Sequence, residues 1–469
     1  MSKLIVVSNR VPDPNAPQAG GLATALKPAL EAQGGVWFGW SGKSHDGPDP
    51  LPEVSLHEKR GVHYVLTDLC TQDVEEYYQG FANRVLWPLC HYRLGLTDYS
   101  RRDDAGYQRV NRLMSERLHP FIDTDDLIWI HDYHLLPLAA MLRDRGIRNQ
   151  IGFFLHIPWP APDVFLTLPR GTALLKSMLA YNLIGFQTPN DVENFRECLR
   201  RTGLVLNAGC KIVALPISID LEGFTRRAKN AMAEPRLRDL RGTLAGQKLI
   251  VGVDRLDYTK GIPQRLAGYR RFLENNPDRM AQISYLQITP KSRSSVEQYF
   301  QLEQEIAGLA GSLAGDFAKL DWTPMRYVTR SFGQNVLAGI YRMAEVGLVT
   351  PLRDGMNLVA KEYVAAQDPA DPGVLILSRF AGAALELGEG ALLVNPYDPD
   401  EIAIALVEAI KMPLEARRHR HSTMLAAIAA NTIFDWSEAY LHALRERPQP
   451  INRMTATSPE PVLQNLAFE

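Results

Sequence analysis

The chain has 469 residues, 46% hydrophobic and 22% charged, with 51 Lys plus Arg against 53 Asp plus Glu and a formal charge of -2. Those globular, near-neutral values speak against a disordered chain, a nucleic-acid polyelectrolyte and an anionic-membrane binder, although a local basic pocket stays allowed. The length suits two large domains or three small ones, each with its own core.

In chain order, short apolar runs recur at Leu4–Val7, Leu127–Ile130, Ile151–Leu155, Leu183–Phe186, Ile212–Leu215, Leu249–Val253, Ile283–Ile288, Val346–Val349, Val374–Leu377 and Leu392–Val394. Each is bounded by polar residues, Gly or Pro and predicts a buried parallel strand. Helical apolar spacing lies between many of them, as at Leu22–Ala32, Leu135–Arg145 and Ile402–Ile410. Alternating strand and helix imply a doubly wound α/β architecture. Strand signals lapse over Leu221–Gln247 and resume at Lys248, which places a domain boundary near Ile219–Gly223, and the segment from Pro448 onward reads as a loosely ordered tail.

Cys70, Cys90, Cys198 and Cys210 show no C-x-x-C spacing, so neither a zinc site nor a disulfide scaffold is indicated. Leu4–Val7 is too short for a signal-peptide core, and no apolar stretch approaches the roughly 18 residues that span a bilayer. The expectation is a soluble cytoplasmic protein with no membrane and no nucleic-acid partner.

In open α/β sheets ligands bind beyond the carboxyl ends of the strands. Here those ends are polar: Ser8-Asn9-Arg10, His131-Asp132-Tyr133-His134, His156, Asp254-Arg255 with Tyr258 and Lys260, Lys291 and Arg293, and Arg353-Asp354-Gly355-Met356-Asn357. A lone strand-end charge is usually a cap or surface residue; six such ends in two domains point to a shared cleft. Its mixed charge suits phosphates with hydroxyl-rich groups, because Arg offers a fixed fork to phosphate oxygens and Lys a point charge.

Ala19-Gly20-Gly21 before a helical stretch reads either as an anion-approaching backbone or as a turn. No G-x-G-x-x-G follows the first strand, so a nicotinamide dinucleotide fold gets no support. Gly355 and Asn357 precede a helix predicted to start near Leu358, whose N-terminus can face a diphosphate while Glu362, one turn along, can accept from ribose hydroxyls. Asp123-Thr124-Asp125-Asp126 precedes a strand and reads as a solvated turn rather than a metal site, and His131 and His134 suit hydrogen bonding better than zinc. Trp37, Trp40 and Trp87 are core or sugar-stacking candidates; Trp87, near Tyr77, Tyr78 and Arg84, has the mixed setting of a cleft.

These motifs occur in the order found in the trehalose-6-phosphate synthases: Val7-Ser8-Asn9-Arg10, Ala19-Gly20-Gly21-Leu22, the run from Trp37 to Gly42, Ile128–Leu135, Phe154–Pro158, Asp254–Gly261 and Leu352–Tyr363. The match runs from Lys3 to about Ala443, and the chain resembles that family. The resemblance implies a retaining GT-B glycosyltransferase of family 20, with two Rossmann-like domains over residues 1–222 and 223–432 and a helix near 433–446 returning to the first. It implies transfer of glucose from UDP-glucose to glucose 6-phosphate, giving α,α-trehalose 6-phosphate and UDP. It assigns Arg255, Lys260, Asp132 and His156 to catalysis, and Arg10, Tyr78, Trp87, Asp132 and Arg293 to the acceptor. It assigns Gly20, Gly21, His156, Arg255, Lys260, Phe332, Asp354, Gly355, Met356, Asn357, Leu358, Val359 and Glu362 to the donor. No cofactor or essential metal is implied, since the nucleotide sugar is a substrate; a homo-oligomer is allowed, and a separate phosphatase would act downstream.

Asn182, Trp159 and Ser218 depart from the family pattern, and Trp159 is expected to reshape the acceptor side. Neighbouring readings are a glucosylglycerol-phosphate synthase or another acceptor or nucleotide sugar, a UDP-sugar epimerase, and a catalytically silent sugar-phosphate sensor.

Overall fold

The computed structural model describes residues 3–11, 26, 30–31, 34–46, 54–244, 246–292 and 297–446. Gly20, Gly21 and Arg293 lie outside them, as does the segment from 447 onward. Two sheets organise the chain. The first contains β1 (Leu4–Arg10), β2 (Gly35–His45), β3 (Ser55–Lys59), β4 (Val62–Cys70), β5 (Leu127–His131), β6 (Gln150–Phe154), β7 (Leu183–Phe186) and β8 (Lys211–Ala214), in the order β3-β4-β2-β1-β5-β6-β7-β8. The second contains β9 (Lys248–Val253), β10 (Ile283–Ile288), β11 (Met325–Val328), β12 (Val346–Val349), β13 (Val374–Ser378) and β14 (Leu392–Val394), in the order β11-β10-β9-β12-β13-β14. Every pairing is parallel except β3 with β4.

Each apolar run named from the sequence falls on a strand to within a residue, because a strand covered on both faces reads as a near-continuous apolar run. The strands that were not foreseen have a different pattern. β3 is exposed at every position on the outer edge, and β11 is a half-buried edge strand carrying Arg326. β2 reads as an aromatic cluster because Trp37, Phe38, Gly39 and Trp40 lack a simple alternation. The helix expected from Leu135 starts as a short turn, Tyr133–Leu135, and becomes α-helical only at Leu138–Asp144, since Pro137 has no N–H to give a helix interior. Leu221–Gln247 holds two helices, Leu221–Ala231 and Pro235–Leu244.

The helix Ile433–Arg445, opened by a Thr432/Asp435 capping box, lies on the first sheet. Its Tyr440 stacks on Trp129 with centroids 4.3 Å apart and donates its hydroxyl to the Phe153 carbonyl at 2.9 Å. Gly152 and Gly185 make the room: a Cβ at Gly152 would lie 2.5 Å from the Tyr440 hydroxyl. Burying a ring of this size contributes on the order of 2–3 kcal/mol. Residues Ile217, Ile219, Ile433 and Trp436 carry one apolar cluster from the first sheet into the second.

Three sequence readings change in the structure. Asp126 is buried rather than solvated, accepting from Lys3 N at 3.0 Å and Asp123 N at 2.9 Å. Trp159 is buried against Phe165, Phe186 and Phe195, so it shapes the core and not the acceptor side. Asp254, a strand-end charge in sequence, is buried and paired with Arg265 at 2.8 Å. Cys70, Cys90, Cys198 and Cys210 are free thiols.

Candidate functional site

Strand order reverses beside β1 in the first sheet, where β1 lies between β2 and β5, and beside β9 in the second, where β9 lies between β10 and β12. Adjacent connections there leave toward opposite faces and open a crevice at the carboxyl ends. Arg10 ends β1 and Asp132 follows β5; Arg255 and Lys260 follow β9, and Asp354 to Asn357 follow β12. The two crevices face each other, and the halves meet so closely that a Cβ on Gly355 would lie 2.2 Å from the His156 carbonyl oxygen. Only glycine fits at that position.

On the first half, the Arg10 guanidinium lies over the Trp40 ring, 6.0 Å from its centroid. Tyr78 tilts against Trp40 at 5.4 Å and stacks on His134 at 5.8 Å with planes 13° apart. Tyr77, its neighbour on the π-helical segment Val74–Leu86, turns inward and donates to Asn9 Oδ1 at 2.8 Å. Asp132 holds φ at 75°, a strained value for a residue with a side chain. Its N–H donates to the Phe154 carbonyl at 2.8 Å, and its Oδ1 accepts from His156 N at 3.3 Å, so the strain is held by the ends of β5 and β6.

His156 stacks with His131, their facing Nε2 and Nδ1 3.1 Å apart, in an aromatic box that includes Phe154, Trp129 and Trp436. Burial pulls the His156 pKa down to about 3 and that of His131 well below the usual range. Both rings are therefore neutral at physiological pH, suited to hydrogen bonding and not to charge.

On the second half, Lys260 pairs with Asp354, whose Oδ2 also accepts from Asn357 Nδ2 at 3.1 Å. Asn357 sits at φ 75° and opens the helix Leu358–Ala366 without a side-chain cap, which leaves the first-turn N–H groups of Leu358 and Val359 turned to the crevice end. Met356 is buried, and its carbonyl accepts from Ala383 N at 2.8 Å. Glu362 lies one turn along that helix. Burial raises its pKa to about 7, with Arg227 opposing the shift. Phe332 is half-buried in the approach to the helix Gln334–Met343.

Trp87 crosses between the halves. It is buried, its Nε1 donates to Asp257 Oδ1 at 3.3 Å, and the Arg255 guanidinium lies 4.9 Å from its ring centroid. The structure thus brings Arg10 and Tyr78 together about Trp40, Asp132 beside His156, Lys260 beside Asp354 and Asn357, and Arg255 beside Trp87. The sequence reading gave no role to Asp257, His91 or Arg353. His91 packs tilted against Trp87, centroids 4.3 Å apart, and is kept neutral by burial, its pKa pulled to about 4; Arg353 lies 4.0 Å from the Tyr92 ring centroid. Asp257 and Arg353 stood inside the motifs Asp254–Gly261 and Leu352–Tyr363, whereas His91 carried no motif signal. Among the described residues no group of three His, Cys, Asp or Glu side chains could hold a metal, and no helix is long and apolar enough to cross a membrane.

The family model described as Glycosyltransferase family 20 matches residues 6–446. A trehalose-6-phosphate synthase of Sinorhizobium fredii is 51% identical over 459 residues, 95% of this chain and 98% of the relative. A UDP-forming α,α-trehalose-phosphate synthase of Burkholderia xenovorans, solved in complex with glucose-6-phosphate, superposes with a TM-score of 0.91 at 42% identity, covering 95% of this chain and 100% of the other. An E. coli structure bound with UDP-2-fluoro glucose gives 0.88 at 45% identity over 94% and 99%. With a family match over nearly its whole length and relatives of this identity, the chain belongs to glycosyltransferase family 20.

Proposed function

We propose that the cleft transfers glucose from UDP-glucose to the anomeric hydroxyl of glucose 6-phosphate, giving α,α-trehalose 6-phosphate and UDP with retention at the donor carbon. The observation that carries this reading is the apposition of two switch points of complementary chemistry. One presents Arg10 on an aromatic wall of Trp40 and Tyr78; the other presents Arg255, Lys260 and an uncapped helix N-terminus. The first suits a sugar phosphate and the second a diphosphate. The solved relatives bound to glucose-6-phosphate and to a fluorinated UDP-glucose support the same pair.

In this reading residues 1–222, with the returning helix, form the acceptor domain and 223–432 the nucleotide-sugar domain. Arg10, Tyr78 and Arg293 hold the acceptor phosphate, and Trp87 and Asp132 its ring. Arg255, Lys260 and the N–H groups of Gly21, Leu358 and Val359 receive the diphosphate. Gly20, Phe332, Gly355, Met356 and Asn357 shape the donor pocket, Glu362 accepts from the ribose, and His156 and Asp354 orient the transferred glucose.

The Lys260–Asp354 pair has to open as the diphosphate claims Lys260, which frees Asp354 for sugar hydroxyls. Retention follows a front-face path: the acceptor oxygen bonds to the anomeric carbon as the bond to the phosphate oxygen breaks, and that oxygen takes the acceptor proton. The charge growing on UDP is met by Arg255 and Lys260, so no side-chain nucleophile or essential metal enters. The product keeps its phosphate, whose removal falls to a separate phosphatase.

The test is a product assay with glucose 6-phosphate and UDP-, GDP- or ADP-glucose, without added metal, read by NMR. An α,α-1,1 linkage with UDP-glucose establishes the reaction; a folded protein giving no disaccharide phosphate with any donor refutes it.

Glu362 adds a pH signature. With a pKa of about 7 the carboxyl is mainly protonated at pH 6 and ionised at pH 8, and the ionised form is the stronger acceptor for ribose hydroxyls. UDP-glucose affinity is expected to rise about ten-fold between those values, since only the ionised fraction binds well. Calorimetry checks this, and Glu362→Gln should flatten the profile.

A further inference from the structure

Asp257 stands between Arg255 and Lys260 in sequence, and its side chain is fully buried. Its Oδ1 accepts from Thr259 N at 3.0 Å and Thr259 Oγ1 at 2.8 Å, closing a local turn, and from Trp87 Nε1 at 3.3 Å across the cleft. Its Oδ2 accepts from the Tyr299 hydroxyl at 3.4 Å and faces Arg255 Nη2 at 3.5 Å. Arg255 in turn lies over the Trp87 ring, which closes a triangle of carboxylate, guanidinium and indole. A carboxylate removed from water needs such partners, and these partners come from both halves of the molecule.

We propose that Asp257 is a positioning residue that aims Arg255 at the donor diphosphate and, through the Trp87 N–H, ties that aim to the acceptor side of the cleft. The inference rests on the transfer reaction proposed above. The triangle exists only while the halves are apposed, because Trp87 belongs to the first and Asp257 and Arg255 to the second. An acceptor packed against Trp87 stabilises the apposed arrangement and with it the pose of Arg255, so donor and acceptor binding are coupled. The same triangle keeps Arg255 in place when the acceptor arrives, which favours transfer over attack by water.

Two substitutions separate the arms. Asp257→Asn keeps the shape and an oxygen for Thr259 and Trp87 but removes the charge facing Arg255. Trp87→Phe keeps an aromatic face for Arg255 but removes the N–H. The measurements are UDP-glucose Kd by calorimetry, steady-state kinetics, the ratio of UDP-glucose hydrolysed to transferred, and thermal melts. Asp257→Asn is expected to weaken UDP-glucose binding about ten-fold, and Trp87→Phe to lower kcat about ten-fold with a raised hydrolysed fraction. The double variant should lose less than the product of the single losses, because both break one triangle.

An unchanged Kd in folded Asp257→Asn overturns the aiming role whatever the acceptor proves to be. Multiplicative losses with an unchanged hydrolysed fraction overturn the coupling. If Asp257→Asn does not fold, Trp87→Phe still decides: an unchanged ratio of hydrolysis to transfer refutes the proposal. If the unsubstituted protein makes no disaccharide phosphate, the reaction reading fails, and the Kd arm alone decides the role of Asp257.

Discussion

Arg255→Ala is expected to lower kcat by about 10²–10³ while leaving the protein folded. The guanidinium side chain is 44% exposed at the end of β9, so its stability contribution is limited to the contact with Trp87 and the partly screened pairing with Asp257. Its effect on the reaction is larger because it stands where negative charge grows as UDP departs, in a cleft from which closure removes water. Arg255→Lys should recover only part of the rate, since an ammonium supplies charge without the two-pronged geometry. Single-turnover kinetics with a matched melt checks both variants, and near-normal turnover in folded Arg255→Ala would refute the electrostatic account.

Arg265→Leu is expected to cost about 3–5 kcal/mol of stability. Arg265 is completely buried and pairs with Asp254. It also donates to Thr350 Oγ1 at 2.9 Å, Gln287 Oε1 at 3.1 Å and the Lys260 carbonyl at 3.2 Å. One side chain thus ties the ends of β9, β10 and β12 to the loop that carries Lys260. Removing it strands the Asp254 carboxyl, which burial already pushes toward the neutral form. Pairing Arg265→Leu with Asp254→Asn should recover part of the loss by removing the orphaned charge. Thermal unfolding of the three variants checks this: a double variant less stable than Arg265→Leu alone would contradict it.

Much of the architecture was legible in local sequence. Buried parallel strands such as Val346–Val349 or Val374–Ser378 are near-continuously apolar on both faces, so they appear as runs whatever their neighbours do. Asn357 and Gly355 marked the start of a helix because Asn is among the few side chains that tolerate the positive φ at 357 and only glycine fits against the His156 carbonyl at 355. Edge strands escaped for the converse reason: Ser55–Lys59 is held by pairing with β4 while its side chains face water, so nothing in its composition records a sheet.

The candidate site divides in the same way. Strand-end motifs named Arg10, Asp132, His156, Arg255, Lys260 and Asp354 because chemistry at a carboxyl end is written next to an apolar run. Asp257 passed unassigned, since its meaning lies in a hydrogen bond to Trp87, 170 residues away. Trp159 was misread because an aromatic beside a motif looks the same whether it lines a cleft or fills a core.

By itself the sequence determined the doubly wound class, the strand ends that carry polar groups and the family, because these depend on residue type and short-range order. Only the tertiary structure decided which charges are spent internally, as Asp254 is on Arg265, and which face the cleft, as Arg255 does. It also decided that Gly355 meets His156 across the halves and that Trp87 reaches Asp257. Desolvation and hydrogen bonding depend on what surrounds a group in space, and chain order does not carry that information.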